Sequence, residues 1–300
     1  MSTEREKTRS DDLRQLTPLH DSFVGVDSDG CMFDTMTVKQ REHFHPLIIK
    51  HWHLESCAEA LVTCADFSSL ISKFRGSNRF PALLRTLQWF REYPGVAESG
   101  VELPKLDALR AYVNSGVPLG NPTLKAAVEK TNDPELRRVL EWSLEINRDI
   151  DQKMRPVPPF REAVATLELL HRKSDVVVIS QTPEAALFKE WTLHGLTGKI
   201  TRIAGQEVGT KAEQIRFAAE GKYDPSRIIM VGDALGDRLS AQEAGALFYP
   251  IMPGAEEESW KRFREEAYPL FLEGKYAGEY EDSVISRFEA ALPSIPPWTL

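Results

Sequence analysis

Two acidic residues, Asp27 and Asp29, follow the apolar run at 23–26. Such a run is typical of a buried strand, so both carboxylates are expected where that strand ends. Like charges at this spacing raise each other's pKa unless a cation or another partner compensates them. The pair therefore indicates a metal ion or a phosphoryl-transfer centre. The alternative is an ordinary strand-to-loop turn, because Asp-x-Asp-Gly alone is a common pattern.

Other predicted strands also end in polar residues. Ser180 closes the apolar run at 175–179, and Asp233 closes the run at 227–232. Thr182 is an alternative to Ser180 as the source of a hydroxyl group. Ligands bind beyond the carboxyl ends of the strands in open parallel sheets. These side chains are therefore expected at the edge of the sheet that carries the first acidic pair.

Two predicted helices carry further charged residues. The helix at 210–220 carries Lys211 in its first turn, and Lys222 just beyond it is the alternative if the site takes a lysine from this segment. The helix at 237–243 begins at Asp237. Asp237 fits a simple role, because an acid in the first turn of a helix interacts favourably with the helix dipole.

The elements that must position these residues are strands and helices in alternation. In the second half of the chain, apolar strands alternate with helices, which predicts right-handed βαβ units, a parallel sheet and a Rossmann-like α/β core. Residues 37–156 instead show only helical periodicity, clearest in the stripe of Leu136, Leu140 and Leu144. Because the first strand precedes this helical block, we interpret the block as an insertion into the α/β core.

The predicted organisation has four parts. They are a flexible tail at 1–20, a discontinuous α/β core at 21–36 and 157–254, an inserted helical cap at 37–156, and a helical C-terminal extension at 255–300 that packs on the core. The cap leaves the core just after Asp29 and is therefore expected above the carboxyl edge of the sheet.

Composition excludes several classes of protein. With 37 Lys+Arg against 45 Asp+Glu, the 300-residue chain has a net charge of −8, which argues against a broad nucleic-acid-binding face. No apolar run approaches the length of a membrane span, and the polar segment 1–12 has no signal-peptide core. Cys31, Cys57 and Cys64 fit reduced thiols better than disulfides or a zinc site. We expect a soluble cytoplasmic protein, whose oligomeric state the sequence leaves open.

Four short motifs, taken in chain order, resemble those of the haloacid dehalogenase (HAD) superfamily, and in particular its members with a helical cap inserted after the first motif. The motifs are Asp27-Ser28-Asp29-Gly30 continued by Phe33-Asp34-Thr35, Ser180 after its strand, Gly209-Thr210-Lys211-Ala212-Glu213, and Gly232-Asp233-Ala234-Leu235-Gly236-Asp237. The resemblance covers the α/β core and the placement of the cap. Each motif alone is weak, but all four in order are specific.

The resemblance implies a phosphatase that works through a covalent intermediate. Asp27 is then the nucleophile that forms an aspartyl-phosphate, and Asp29 is the general acid and base. Ser180, Gln181 and Lys211 would bind the phosphoryl oxygens beside Asp27. In the superfamily, phosphatases and phosphomutases carry a carboxylate at the position that Asp29 matches, whereas dehalogenases and phosphonate hydrolases lack one. In this respect the chain resembles the phosphatases and phosphomutases.

The resemblance also implies a magnesium ion. Its ligands would be the carboxylates of Asp27 and Asp233 and the backbone carbonyl of Asp29, supported by Asp237, and such oxygen donors suit Mg²⁺. The predicted function is magnesium-dependent hydrolysis of a small phosphorylated metabolite, which is then the partner of the protein. A phosphomutase that uses the same site is an alternative, and a catalytically silent binding module is a more remote one.

Two parts of the site are left open by the sequence. Cys31 stands near a position where the family often has threonine, and Gln181 stands where asparagine is common, which puts the phosphate geometry in question. In the predicted cap, Arg75 and Arg79 flank a glycine-containing loop and would suit an anionic, non-reacting part of the substrate. The alternative is a solvated loop between two helices.

Overall fold

The computed structural model describes residues 8–299 and divides into two compact units. The first unit comprises the chain up to Thr35 together with Pro156–Ala291, and the second comprises Met36–Arg155 together with the chain from Leu292. Each unit has its own hydrophobic core. The chain therefore leaves the first unit shortly after its first strand and returns to it to complete the sheet.

A five-stranded parallel sheet forms the centre of the first unit. Its strands are β1 (Phe23–Val26), β2 (Asp175–Ile179), β3 (Arg202–Ala204), β4 (Ile228–Gly232) and β5 (Leu247–Pro250), in the spatial order β3-β2-β1-β4-β5. In the register of the sheet, Val26 lies beside Val178 and Val231. Every residue of β1, β2 and β4 is buried, as expected for strands covered on both faces. The predicted α/β class with a Rossmann-like parallel sheet is confirmed.

Helices connect the strands and form the second unit. In chain order they are α1 (Ser10–Arg14), α2 (Thr35–Val38), α3 (His45–Trp52), α4 (Ala58–Asp66), α5 (Arg79–Glu92), α6 (Asp107–Val113), α7 (Asn121–Thr131), α8 (Pro134–Lys153), α9 (Arg161–Leu170), α10 (Glu184–Leu193), α11 (Lys211–Ala219), α12 (Leu235–Glu243), α13 (Glu256–Arg262), α14 (Tyr268–Leu272) and α15 (Glu279–Ala290). Residues 36–155, all of which the structure describes, contain no β-strand. Across residues 8–299, no helix combines the length and the apolar character that crossing a membrane requires.

The 20-residue helix α8 shows how the second unit forms its core. Asp133 caps this helix by accepting hydrogen bonds from the backbone N–H groups of Glu135 and Leu136. The buried face comprises Leu136, Val139, Trp142, Ser143 and Ile146. The predicted stripe wrongly includes Leu144, which is 39% exposed. Successive steps of four residues each overshoot one turn by about 40°, so a stripe of such steps drifts off the buried face.

His45, in the second unit, is a buried histidine that couples stability to pH. It is 1% exposed, and burial lowers its pKa from 6.5 to about 4, although the carboxylate of Asp66, 3.6 Å from its Nδ1, opposes the shift. Because the pKa is depressed in the folded state, the unfolded chain binds the proton more readily. This contribution to stability is complete above the unfolded pKa and is lost as the pH falls towards the folded value.

We expect the change from pH 7 to pH 4.5 to cost about 2–3 kcal/mol of unfolding free energy through His45. In His45→Leu this pH-dependent part should disappear, whatever the stability of the variant at pH 7. Urea unfolding of wild type and variant at both pH values measures the difference. The exposed His53, replaced in His53→Asn, is the control. The expectation fails if His45→Leu loses as much stability on acidification as the wild type does.

The predicted flexible tail at 1–20 is wrong for the part that the structure describes, and residues 1–7 lie outside that part. Helix α1 packs against α11, and Leu13 is fully buried. The ammonium group of Lys222 donates a hydrogen bond to the carbonyl oxygen of Leu13 at 2.5 Å. Lys222, the alternative to Lys211 as a site lysine, is therefore committed to this contact. The contact between α1 and α11 could not be predicted, because a polar segment with one buried leucine shows no apolar periodicity.

The predicted C-terminal extension at 255–300 divides between the two units. Helices α13, α14 and α15 contribute aromatic residues to the core of the first unit. From Leu292 onward the chain belongs to the second unit, where the Trp298 ring lies 5.5 Å from that of Phe67 and 5.2 Å from that of Tyr93. The prediction that the whole extension packs on the α/β core is therefore corrected, because the partly buried Trp298 packs against the core of the second unit.

Candidate active site

Three predicted acidic residues meet at the carboxyl edge of the sheet. Asp27 directly follows β1, and its backbone N–H donates to the carbonyl of Val231 at 3.0 Å. Asp233 directly follows β4, and Asp237 lies in the first turn of α12. One carboxylate oxygen of each aspartate lies within 4.8 Å of the other two, and all three residues are buried. We call Asp27, Asp233 and Asp237 the acidic cluster.

Lys211 lies against the acidic cluster. Its ammonium nitrogen is 2.9 Å from Oδ1 of Asp27 and 2.5 Å from Oδ1 of Asp237. Thr210 sets this position, because its side chain accepts a hydrogen bond from the N–H of Glu213 and caps α11 immediately before Lys211. Burial lowers the pKa of Lys211, but Asp237 and Asp27 outweigh it and raise that pKa above its ordinary value. Lys211 is therefore a positive charge at the site.

The acidic cluster carries more negative charge than Lys211 balances. Burial raises the pKa of Asp27 well above its usual range; Lys211 opposes the shift, and Asp237 and Asp233 reinforce it. Lys211 supplies one positive charge beside the three carboxylates of the cluster. A divalent cation relieves such crowding of carboxylates, and a compact set of carboxylate oxygens suits Mg²⁺. The residues present therefore fit a magnesium ion held by the acidic cluster.

Gly232 makes the position of Asp237 possible. The Oδ2 atom of Asp237 accepts hydrogen bonds from the backbone N–H groups of Asp233 and Ala234, at 3.1 and 3.0 Å. A Cβ atom added at Gly232 would lie 2.5 Å from that oxygen, far inside van der Waals contact. Sterics therefore explain why glycine precedes Asp233: a side chain at position 232 would collide with the carboxylate of Asp237.

We expect Gly232→Ala to displace Asp237 and to lower the unfolding free energy by about 1–3 kcal/mol, as overpacking of a buried site does. Gly236→Ala is the matched control, since a Cβ atom there meets no heavy atom within 4 Å. In a helix this control substitution should raise stability by about 0.5–1 kcal/mol. Urea unfolding followed by circular dichroism distinguishes the two variants. Similar effects of both substitutions would contradict the steric role of Gly232.

Asp29 is held by two hydroxyl groups and does not belong to the acidic cluster. The Thr35 hydroxyl donates to its Oδ1, and the Thr182 hydroxyl donates to its Oδ2 at 2.8 Å. Gly30, with φ of 81°, allows the tight turn that brings Thr35 back to Asp29. The sequence indicated neither contact, although Thr35 belongs to the first motif and Thr182 was a candidate hydroxyl.

The end of β2 separates the roles of Ser180 and Thr182. Ser180 is buried, and its Oγ accepts a hydrogen bond from the backbone N–H of Thr182 at 3.2 Å. Within residues 8–299 the Ser180 hydroxyl donates to no acceptor, so its proton is available to a phosphoryl oxygen. Gln181, predicted to bind phosphate, is exposed, and its Nε2 donates to the carbonyl of Gly209 at 2.8 Å. In this structure Ser180 therefore fits the predicted role better than Gln181.

Two buried tryptophans hold the loop that follows Asp27. The indole N–H of Trp191 donates to Oγ of Ser28 at 3.0 Å, and that of Trp260 donates to the carbonyl of Cys31 at 2.8 Å. Burial, reinforced by Asp27, raises the pKa of the Cys31 thiol well above its usual range. Cys31 is therefore a protonated packing residue. No pattern in the sequence indicated that Trp260 contacts this loop.

The two predicted substrate-binding arginines lie in the second unit. Arg75 is buried, and its Nη1 donates to the carbonyl of Leu70 at 3.0 Å. Nη1 of Arg79 donates to the hydroxyl of Ser143 at 3.1 Å and to Oδ1 of Asn147 at 2.8 Å. Burial lowers the pKa of Arg79 to about 10. Both guanidinium groups thus have partners inside the helical unit, and their contact with substrate stays a prediction.

Comparison with known proteins gives similarities of fold. No protein-family model matches the sequence, and no curated protein is significantly similar to it. Similar solved structures include a haloacid dehalogenase-like hydrolase from Streptococcus pneumoniae, with 15% identity, coverage of 89% of this chain and 98% of that chain, and a TM-score of 0.46. A predicted phosphoglycolate phosphatase from Haemophilus somnus has 14% identity, coverage of 79% of this chain and 87% of that chain, and a TM-score of 0.49. A putative HAD-hydrolase from Bacillus subtilis, bound to magnesium, has 12% identity, coverage of 76% of this chain and 86% of that chain, and a TM-score of 0.42. All three TM-scores are below 0.5.

Proposed function

We propose that this chain is a magnesium-dependent phosphatase of the HAD type that hydrolyses a small phosphorylated metabolite. The observation that carries the proposal is the buried acidic cluster with Lys211 bound to two of its three members. Asp29 follows two residues after Asp27 with separate hydroxyl partners, so the two acids of the first motif have different surroundings. Different surroundings suit two carboxylates with different chemical roles.

Asp27 is the nucleophile in this proposal. Its Oδ1 is held by Lys211 and by the backbone N–H of Ser28, which donates at 2.8 Å. Attack by a carboxylate oxygen forms a bond to phosphorus and breaks the bond between phosphorus and the leaving oxygen. Water then cleaves the aspartyl-phosphate, which restores the carboxylate and releases inorganic phosphate. Lys211 and Ser180 donate hydrogen bonds to phosphoryl oxygens as their charge develops.

Asp29 is the general acid and base in this proposal. As an acid it gives a proton to the leaving oxygen, and as a base it takes a proton from the attacking water. Both of its oxygens accept hydrogen bonds from threonine hydroxyls in this structure. Each carboxylate oxygen has a second lone pair, so Asp29 can keep both hydrogen bonds while it exchanges a proton with the leaving oxygen or with water.

Magnesium, when bound, would supply the positive charge that the acidic cluster and a dianionic phosphate need. The carboxylates of Asp27, Asp233 and Asp237 and the backbone carbonyl of Asp29 are the residues proposed to hold it. A silent binding module has no use for this arrangement, since burying three carboxylates close together costs stability.

Hydrolysis of p-nitrophenyl phosphate by EDTA-treated protein, with and without added Mg²⁺, tests the proposed function. We expect turnover only with the metal, and release of inorganic phosphate equal to release of nitrophenol. A phosphomutase would instead transfer the phosphoryl group to a sugar phosphate in the assay and release little inorganic phosphate. Absence of metal-dependent turnover with a broad panel of phosphate esters would reject the proposal.

The acid role of Asp29 has its own expected result. In single turnovers, Asp29→Asn should slow release of an alkyl alcohol from its phosphate ester by about 10²–10⁴-fold, the usual contribution of general acid catalysis. Release of p-nitrophenolate should slow far less, because this leaving group needs no proton. Asp34→Asn, in the same loop, is the matched control and should affect neither substrate. Equal slowing of both leaving groups by Asp29→Asn would exclude Asp29 as the acid.

A further inference from the structure

Gln214 connects three loops of the candidate active site. It is fully buried in α11, three residues after Lys211. Its side-chain Nε2 donates to the backbone carbonyls of Ser180 at 3.1 Å, Gly205 at 2.9 Å and Gly209 at 3.0 Å. These carbonyls belong to the end of β2, to the segment after β3 and to the turn before α11. One side chain thus joins the backbone around Ser180 to the start of the helix that carries Lys211.

We propose that Gln214 is a positioning residue that fixes Ser180 relative to Lys211. The inference rests on the proposed function, in which these two residues bind the same phosphoryl group. A primary amide suits the task because it offers two N–H donors without a charge. Three carbonyls around two N–H groups require a shared hydrogen bond, a common arrangement at the ends of helices. A carboxylate, a thioether or a hydrocarbon at this position would offer no donor.

The segment after β3 is held in place by its neighbours, so the other two loops depend on the amide of Gln214 to stay aligned with it. A Cβ atom at Gly205 would lie 2.5 Å from the backbone nitrogen of Glu184, so the segment after β3 is pressed against the start of α10. A buried carbonyl that loses its donor retains the desolvation cost and moves to find another partner. Without Gln214, the end of β2 and the start of α11 would therefore separate or rotate, which moves Ser180 away from Lys211.

Phosphoryl transfer is sensitive to such a movement. Displacement of a reacting or binding group by about 1 Å costs about 10²-fold in rate. Because the loss concerns alignment in the transition state, it should appear mainly in kcat and less in KM. Orthovanadate, which mimics the transition state of phosphoryl transfer, should lose affinity in parallel, whereas inorganic phosphate should lose less. A merely structural role would lower stability and leave these ratios unchanged.

The test compares Gln214→Met with Gln242→Met in the full chain with Mg²⁺. Methionine keeps the length of the side chain and removes both donors, and Gln242 is exposed on the neighbouring helix α12. We expect Gln214→Met to lower kcat/KM for p-nitrophenyl phosphate by about 10–100-fold and to weaken orthovanadate inhibition by a similar factor. Gln242→Met should change neither by more than about twofold. Equal kinetics of the two variants, or a loss of thermal stability with unchanged orthovanadate inhibition, would overturn the inference.

Gln214→Glu provides the second measurement if the methionine variant does not fold. Its carboxyl group donates a hydrogen bond only when it is protonated, so activity relative to wild type should rise by about threefold or more from pH 7.5 to pH 5.5. A constant ratio across this range would also overturn the inference. Wild-type protein without metal-dependent turnover would instead reject the proposed function, so the two failures are distinguishable.

Discussion

Asp27→Asn is expected to lower magnesium-dependent hydrolysis of p-nitrophenyl phosphate by about 10⁴-fold or more, since removal of a nucleophile costs this much in enzymes that form covalent intermediates. An amide does not attack phosphorus at a useful rate. The substitution keeps the volume of the side chain and leaves an oxygen that accepts the hydrogen bond now made by the N–H of Ser28. The loss should therefore reflect chemistry and not the collapse of the site.

Three measurements make this expectation specific. Acid-quenched wild-type protein should retain phosphate from labelled substrate, and the Asp27→Asn protein should retain none. The thermal unfolding temperature of metal-free Asp27→Asn protein should stay close to that of wild type. The substitution removes one of three crowded negative charges, which stabilises the fold, but it also removes the ion pair with Lys211, which destabilises it. Asp34→Asn again serves as the control for an aspartate in the same loop. Turnover by Asp27→Asn at more than one hundredth of the wild-type rate would exclude Asp27 as the nucleophile.

Lys211→Met is expected to have the largest effect on stability. It removes the ammonium group that contacts Asp27 and Asp237, so both of these buried carboxylates lose that cationic partner. Loss of one partner from a buried ion pair costs about 3–5 kcal/mol. Loss of a positive group from the phosphoryl site should also lower kcat/KM by about 10²–10³-fold. Added Mg²⁺ should restore part of the stability and little of the activity.

The pH dependence of this effect has a definite sign. The pKa of Lys211 is raised in the folded protein above its ordinary 10.5, so its contribution is complete below that value and is lost only as the pH rises beyond it. Lys211→Met should therefore be destabilised throughout the neutral range. In the variant, Asp27 loses the ammonium group that opposes the rise of its pKa, so folded Asp27 gains a proton more readily than unfolded Asp27, and the stability should recover as the pH falls.

Urea unfolding of the metal-free wild type and variant at pH 7.5 and pH 5 measures both the loss of stability at neutral pH and its recovery at low pH. Lys222→Met is the matched control, since the ammonium group of Lys222 donates to the carbonyls of Leu13, Phe217 and Ala218 and, among residues 8–299, to no carboxylate. It should lower stability by about 1 kcal/mol and leave kcat/KM unchanged within about twofold. If Lys222→Met impairs turnover as strongly as Lys211→Met, the assignment of Lys211 to the phosphoryl site is wrong.

Much of the site could be predicted because it is built on strand ends. A buried strand is an apolar run in the sequence, and the residue that follows it lies at the carboxyl edge of a parallel sheet. Asp27, Ser180 and Asp233 are residues of this kind, and the structure places all three after β1, β2 and β4. The rules of βαβ connection give the hand of each crossover, whereas the order β3-β2-β1-β4-β5, which places β1 between β2 and β4, is seen only in the fold.

The contacts that complete the site were not encoded in any pattern. Gln214 lies on a helix whose periodicity predicts burial, but burial does not say which carbonyls its amide reaches. Thr182 and Asp29 are far apart in the sequence, and their hydrogen bond depends on the directions of two side chains. Gly232 reads as an ordinary strand residue until the carboxylate of Asp237 is seen against it. Each of these contacts is set by packing between elements, which only tertiary structure fixes.

The sequence by itself determined the parallel α/β core and the helical block inserted after β1, because both depend on periodicity and on the ends of elements. The residues of the acidic cluster and Lys211 were indicated by the four motifs that resemble the HAD superfamily. Tertiary structure decided that α1 docks on α11, that Trp298 takes the end of the chain to the second unit, and that Trp260 reaches the loop after Asp27. Periodicity specifies which face of an element is buried, whereas the partner of that face is chosen by the shapes of the folded units.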